Sequence, residues 1–257
     1  MITLFRSAGV ITGLLFALLL SSGSSAAQTL NAREILARME ATMRGDASYF
    51  EMSMSIVRPR YSREVQLKSW SMGDDFSLTL ITAPARDQGT VFLKREREIW
   101  NYVPNIDRTI KMPPSMMSQS WMGSDFTNDD LVRESSVIDD YEHQILREEI
   151  YEGHKVWVLE LTPKPDTAIV WGRVRMWISQ QHYLQLRIEN DDQSNQLANT
   201  MELSDIQPMG GRLLPTLMKM TPADKPDHHT LMRYLTVEFD PPLDASFFTR
   251  QNMQRVR

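Results

Sequence analysis

The 257-residue chain contains no cysteine. That absence removes disulfides, thiol catalysis and thiolate metal sites. It also removes the acylated N-terminal cysteine that would make the chain itself a lipoprotein. Catalytic signatures are missing too: there is no G-x-S-x-G, H-E-x-x-H, G-x-x-x-x-G-K or G-x-G-x-x-G. Of the histidines His143, His154, His182, His228 and His229, only the last two are neighbours, and neighbours on a strand point to opposite faces. The residues therefore predict a protein that is not an enzyme and holds no cofactor or metal. A formal net charge of -5 disfavours nucleic acid and anionic membrane surfaces as main partners. Long apolar runs are scarce, and the one at Ala8–Leu20 is shorter than the roughly 20 residues a membrane helix needs.

That run has the setting of a secretory signal. Arg6 precedes it, and Ser21-Ser22-Gly23-Ser24-Ser25-Ala26-Ala27 follows, with small side chains at Ser25 and Ala27 where a signal peptidase reads. Residues 1–27 are expected to be a signal peptide cleaved before Gln28. Residues 28–257 are then one exported domain whose stability comes from its own core.

Asn31–Met43 predicts a helix. Asn31 caps it with Glu34 three residues on, and Ile35, Leu36, Met39 and Met43 share one face. The period then changes to two: Phe50, Met52, Met54 and Ile56 alternate with Glu51, Ser53 and Ser55. Further strands are expected near 65–68, 76–80, 90–94, 99–103, 108–111, 141–151, 155–162, 170–179, 183–189, 200–207, 213–220 and 231–239. Asp244–Gln251 reads as a closing helix. Ten to twelve short antiparallel strands joined by turns favour one meandering, strongly curved sheet with helices near both ends. Such a sheet has a concave apolar face that a few helices cover only partly, which leaves a cavity for a ligand.

Residues 113–132 break the alternation. Their start, Met112-Pro113-Pro114-Ser115-Met116-Met117, followed by Trp121-Met122, supports three readings. It is a flexible apolar lid suited to variable acyl chains, a copper(I) site of the Met112, Met116 and Met122 thioethers, or ordinary core packing. The acidic stretch Ser124–Asp130 does not have the spacing of an EF-hand. Asp125 or Thr127 suits a helix N-cap, with Asp129 and Asp130 in the first turn. Trp100 and Tyr102 share one face of a strand, where they line a cavity or belong to the core.

The runs Gly89–Lys94, Ile99–Asn105, Arg108–Lys111 and Pro113–Leu131, with Gln119-Ser120-Trp121-Met122-Gly123-Ser124-Asp125-Phe126 at their centre, resemble the outer membrane lipoprotein-sorting protein family, relatives of the periplasmic carrier LolA. The resemblance implies a mainly β fold: an incomplete antiparallel β-barrel with a helical lid over an apolar cavity. It implies a periplasmic carrier of lipid, lipoprotein acyl chains or other hydrophobic cargo bound for the outer membrane of a Gram-negative envelope. Its partners would be a lipid or acylated protein, an RND-type inner-membrane transporter and an outer-membrane acceptor. The alternative is an interaction or regulatory module that docks on such an exporter or senses lipoproteins. Phe92, Trp100, Tyr102, Met112, Met116, Met117, Trp121 and Met122 are the residues expected to contact cargo.

Overall fold

The computed structural model describes residues 30–133, 136–165, 167 and 169–256; the expected signal peptide, 1–27, lies outside them. The helix α1 (Ala32–Met43) opens the fold. Asn31 Oδ1 accepts from the Glu34 backbone N–H at 2.9 Å, and Glu34 accepts from the Asn31 N–H at 3.1 Å, so the capping box forms as the sequence predicts. Ala32, Ile35, Leu36 and Met39 form its buried stripe.

Six strands follow in a meander: β1 (Ala47–Arg58), β2 (Tyr61–Met72), β3 (Phe76–Ala83), β4 (Val91–Arg95), β5 (Glu98–Val103) and β6 (Arg108–Lys111). The chain then crosses the molecule through residues 112–133 and 136–140. A second meander comes back: β7 (Tyr141–Tyr151), β8 (His154–Pro163), β9 (Arg173–Ser179), β10 (Gln185–Asp191), β11 (Leu197–Met209), β12 (Arg212–Pro222) and β13 (His229–Phe239). The last strand pairs with β1, so all thirteen make one antiparallel sheet in the order β6-β5-β4-β3-β2-β1-β13-β12-β11-β10-β9-β8-β7. It does not close, because β6 and β7 remain edges. Every expected strand is present, although β9 begins at Arg173 rather than Val170.

The sheet is curved. Ser69 and Ser71 of β2 line the same cavity as Val174 and Met176 of β9. On a flat sheet, six inter-strand steps of about 4.8 Å would separate those strands by roughly 29 Å.

Two inserts fill most of the inner face. The stripe of α1 packs on Tyr141, Leu159, Leu161, Val174, Met176 and Ile178 from β7, β8 and β9. The crossover packs Met112, Met117, Trp121 and Phe126 against Phe50, Met52, Met54, Ile56, Val65, Leu67, Phe92 and Ile99. The outer face of β3, β4 and β5 is also covered. Leu78, Leu80, Val91, Leu93 and Trp100 lie beneath Phe248, Met253 and Val256. That explains why β3 and β4 are buried in continuous runs instead of alternating. The closing helix is shorter than expected: α2 is one turn, Arg250–Met253, capped by Thr249. Residues 244–248 are instead irregular, and Phe248 is fully buried on the sheet.

Candidate functional site

Between the two inserts a cavity of about 320 Å³ remains, at the low end of the ~300–1,000 Å³ typical of ligand pockets. Its floor is the inner face of eight strands, β1, β2, β7 and β9 to β13. Met39, Glu40, Met43 and Arg44 form the α1 wall; Phe126, Asp129, Asp130 and Leu131 form the crossover wall. Eight methionines line it: Met39, Met43, Met52, Met176, Met201, Met218, Met220 and Met232. The strand register gathers them. Met201 lies opposite Met220, and Met218 opposite Met232, which in turn lies opposite Met54. A thioether side chain is unbranched and polarisable, so such a wall reshapes around apolar ligands of different outline.

The crossover wall is built by a second capping box. Thr127 Oγ1 accepts from the Asp130 N–H at 3.2 Å, and Asp130 Oδ2 accepts from the Thr127 N–H at 2.8 Å, opening the short π-helical turn Asp129–Arg133. Of the two caps the sequence offers, Thr127 is used. Asp130 Oδ1 also accepts from Trp171 Nε1 at 2.9 Å. Burial pushes the Asp130 carboxyl above its ordinary pKa, against the lowering effect of these two N–H donors. Asp125 has a different task. It pairs with Arg58 at 2.9 Å, the side chains being only 10% and 7% exposed, and accepts from Thr230 Oγ1 at 2.7 Å. Arg58 Nη2 donates to Gly123 O at 3.0 Å, and Arg63 Nη1 donates to Met122 O at 2.9 Å. The crossover is therefore bolted to β1, β2 and β13. Among the described residues no group of three or more histidine, aspartate or glutamate side chains is placed to hold a metal ion.

The eight residues expected to contact cargo fall into separate places, and none of them lines this cavity. Phe92, Met112, Met117 and Trp121 are buried in the core beneath the crossover, with Met116 and Met122 packed beside them; the Phe92 and Trp121 rings lie 5.4 Å apart. Trp100 and Tyr102 do share a face, but it is the outer one, under the C-terminal segment. Met112 and Met117 also reach a second cleft of about 1000 Å³, together with Ile99, Pro113, Pro114 and Ile169. That cleft is larger, yet Asp74, Asp75, Lys94, Glu96, Arg97, Lys111, Asp139 and Asp140 also line it. Charges held in water make it a poor shelter for hydrocarbon. The methionine-lined cavity is the stronger candidate. The available signal for it was the abundance of methionine, 17 in the chain, at inward positions of period two such as Met218 and Met220.

A protein-family model with the description uncharacterized protein matches residues 73–255. The chain belongs to that family. No curated protein matches it. Among solved structures, a domain from Vibrio parahaemolyticus named for a provisional role in outer membrane lipoprotein sorting superposes with a TM-score of 0.77 at 24% identity, covering 87% of this chain and 98% of that one. A DUF1329 family protein from Desulfovibrio piger gives 0.77 at 24% identity, over 86% and 97% of the two chains. The LolA superfamily protein NE2245 from Nitrosomonas europaea gives 0.76 at 23% identity, over 87% and 99%. The chain shares its fold with these three structures, one of them a LolA superfamily protein, in agreement with the fold implied by the resemblance read from Gly89 to Leu131.

Proposed function

We propose that this family member is a periplasmic carrier that shelters hydrophobic cargo, a lipid or the acyl chains of a lipoprotein, on its way to the outer membrane. The observation that carries this reading is the cavity between α1 and the crossover, walled by eight methionines. Transfer of each methylene from water to such a site is favourable by about 0.8 kcal/mol. No reactive group is needed. The expected signal peptide at 1–27 and a fold shared with a LolA superfamily protein support the same reading.

Of the two inserts, α1 is the better gate. Its polar fastenings lie near the surface, Arg33 to Asp139 at 2.7 Å and Arg212 Nη1 to Ala41 O at 2.6 Å, both solvent-exposed, although its buried stripe of Ile35, Leu36 and Met39 must also part from β7, β8 and β9. Exposed ion pairs contribute only ~0–1 kcal/mol. The crossover, which the sequence suggested as the lid, is held by the nearly buried Arg58–Asp125 pair and by buried aromatics.

Native mass spectrometry of protein purified from the periplasm without detergent tests the proposal. A hydrophobic adduct lost on exchange with excess lipid is expected. Adduct-free protein that also fails to take up lipid from vesicles would reject it.

A second reading, a module docking on an RND-type exporter, draws on the edge strand β7. Its outer side is unpaired among the described residues, and Ile145, Leu146 and Ile150 are exposed there. Recovery of a membrane exporter by the wild type but not by Ile150→Lys, with no effect from filling the cavity, would favour this reading over the carrier.

A further inference from the structure

The cavity has a polar handle, Asp130. Its carboxylate lies beside Asp129 in the crossover wall, near Leu131 and Trp171, with Glu40 on the α1 side, and it takes part in no salt bridge among the described residues. It keeps some accessible surface although the protein surrounds it, because that surface faces the cavity. An ionised carboxylate offers about four acceptor positions. Three are used, Oδ1 by the Trp171 indole N–H, Oδ2 by the Thr127 backbone N–H and one more by the Thr127 side chain. At least one position is left for a donor that a ligand brings. The cation of the lining, Arg44, sits at the C-terminal end of α1 and is engaged by Glu40 at 3.7 Å and by Asp74 at 3.6 Å. An isolated buried carboxylate is costly, and a ligand that donates a hydrogen bond or brings positive charge relieves that cost. A ligand that brings a second carboxylate increases it.

We propose that Asp130 sets the class of cargo: the cavity accepts a hydrophobic tail that ends in a cationic or hydrogen-bond-donating group, such as an amine or a hydroxyl, and rejects free fatty acids. This deepens the carrier reading and rests on it. Asp130 acts here as a specificity residue, in addition to its capping of the turn at Asp129.

Matched probes test it. Binding of decylamine, decanol and decanoate is measured by isothermal titration calorimetry at neutral pH, below their aggregation concentrations. The expected order is amine, then alcohol, then carboxylate, with the amine at least about tenfold tighter than the carboxylate. Asp130→Asn, which keeps an acceptor for the cap, is expected to bring that ratio to within about threefold. Equal binding of all three by the wild type, or a preference for decanoate, overturns the assignment while leaving the carrier reading standing. A preference for the amine that survives in Asp130→Asn also overturns it. Failure of all three probes to bind overturns the assignment, and native mass spectrometry then decides the carrier reading. The wild-type ratio decides the matter if the variant does not fold.

Discussion

A chain-length series measures the cavity directly. One liquid water occupies ~30 Å³ and a methylene is of similar size, so about 320 Å³ holds on the order of ten methylene-sized groups. At about 0.8 kcal/mol each, the gross gain is ~8 kcal/mol. Association costs at least ~4 kcal/mol, which leaves ~4 kcal/mol and a Kd on the order of 1 mM for a ten-carbon ligand in the closed form. For n-alkylamines of increasing length, each added carbon should tighten binding about fourfold. The gain should stop near ten carbons, unless α1 moves aside. Met218→Trp projects a larger side chain into the floor and should bring the plateau forward by about two carbons. Displacement of a fluorescent probe reads both effects. Affinity independent of chain length, or a plateau that Met218→Trp leaves in place, would refute the reasoning.

Three further outcomes follow from the two inserts. Asp125→Ala leaves Arg58 nearly buried without its partner, so a loss of about 3–5 kcal/mol is expected in urea unfolding; a loss below about 1 kcal/mol would mean that the pair does not hold the crossover. Arg212→Ala removes the donor to Ala41 O at the end of α1 and the guanidinium 3.7 Å above the Phe239 ring; it should speed cargo release in stopped flow, and an unchanged rate would argue against α1 as the gate. Asp130 gives a pH signature. Its folded pKa is raised, so between the ordinary value of ~3.9 and the folded one the native state keeps a proton that the unfolded chain has lost. Stability from this group falls as pH rises through that window. Asp130→Asn cannot ionise, so its stability relative to wild type should improve from pH 4 to pH 7; urea midpoints showing a constant difference would contradict this.

The strands were legible because burial on one face writes a period of two into the sequence. β1 is the plainest case: Phe50, Met52, Met54 and Ile56 are buried, and Glu51, Ser53 and Ser55 are not. The helix α1 was legible from Asn31 and Glu34, whose side chains report a helix start through purely local bonds. The lining of the cavity was not. Whether Trp100 faces cargo or core depends on what covers its side of β5, and the cover comes from Phe248, Met253 and Val256, some 150 residues along the chain. Proline and methionine in the crossover left a lid, a copper site and core packing open; Met112, Met117 and Trp121 pack in the core, and Asp125 within the same stretch anchors it. The pairs Met201–Met220 and Met218–Met232 exist only through strand register. No local pattern discloses that two inserts, meeting over those strands, leave a space there.

The most direct test is methyl NMR of methionine-labelled protein titrated with a ten-carbon amine. Occupation of the cavity predicts shifts concentrated at Met39, Met43, Met52, Met176, Met201, Met218, Met220 and Met232, with Met72 and Met253, on the outer face, unmoved. Shifts at Met112 and Met117 alone, or none at the eight, would place the cargo elsewhere and contradict the account.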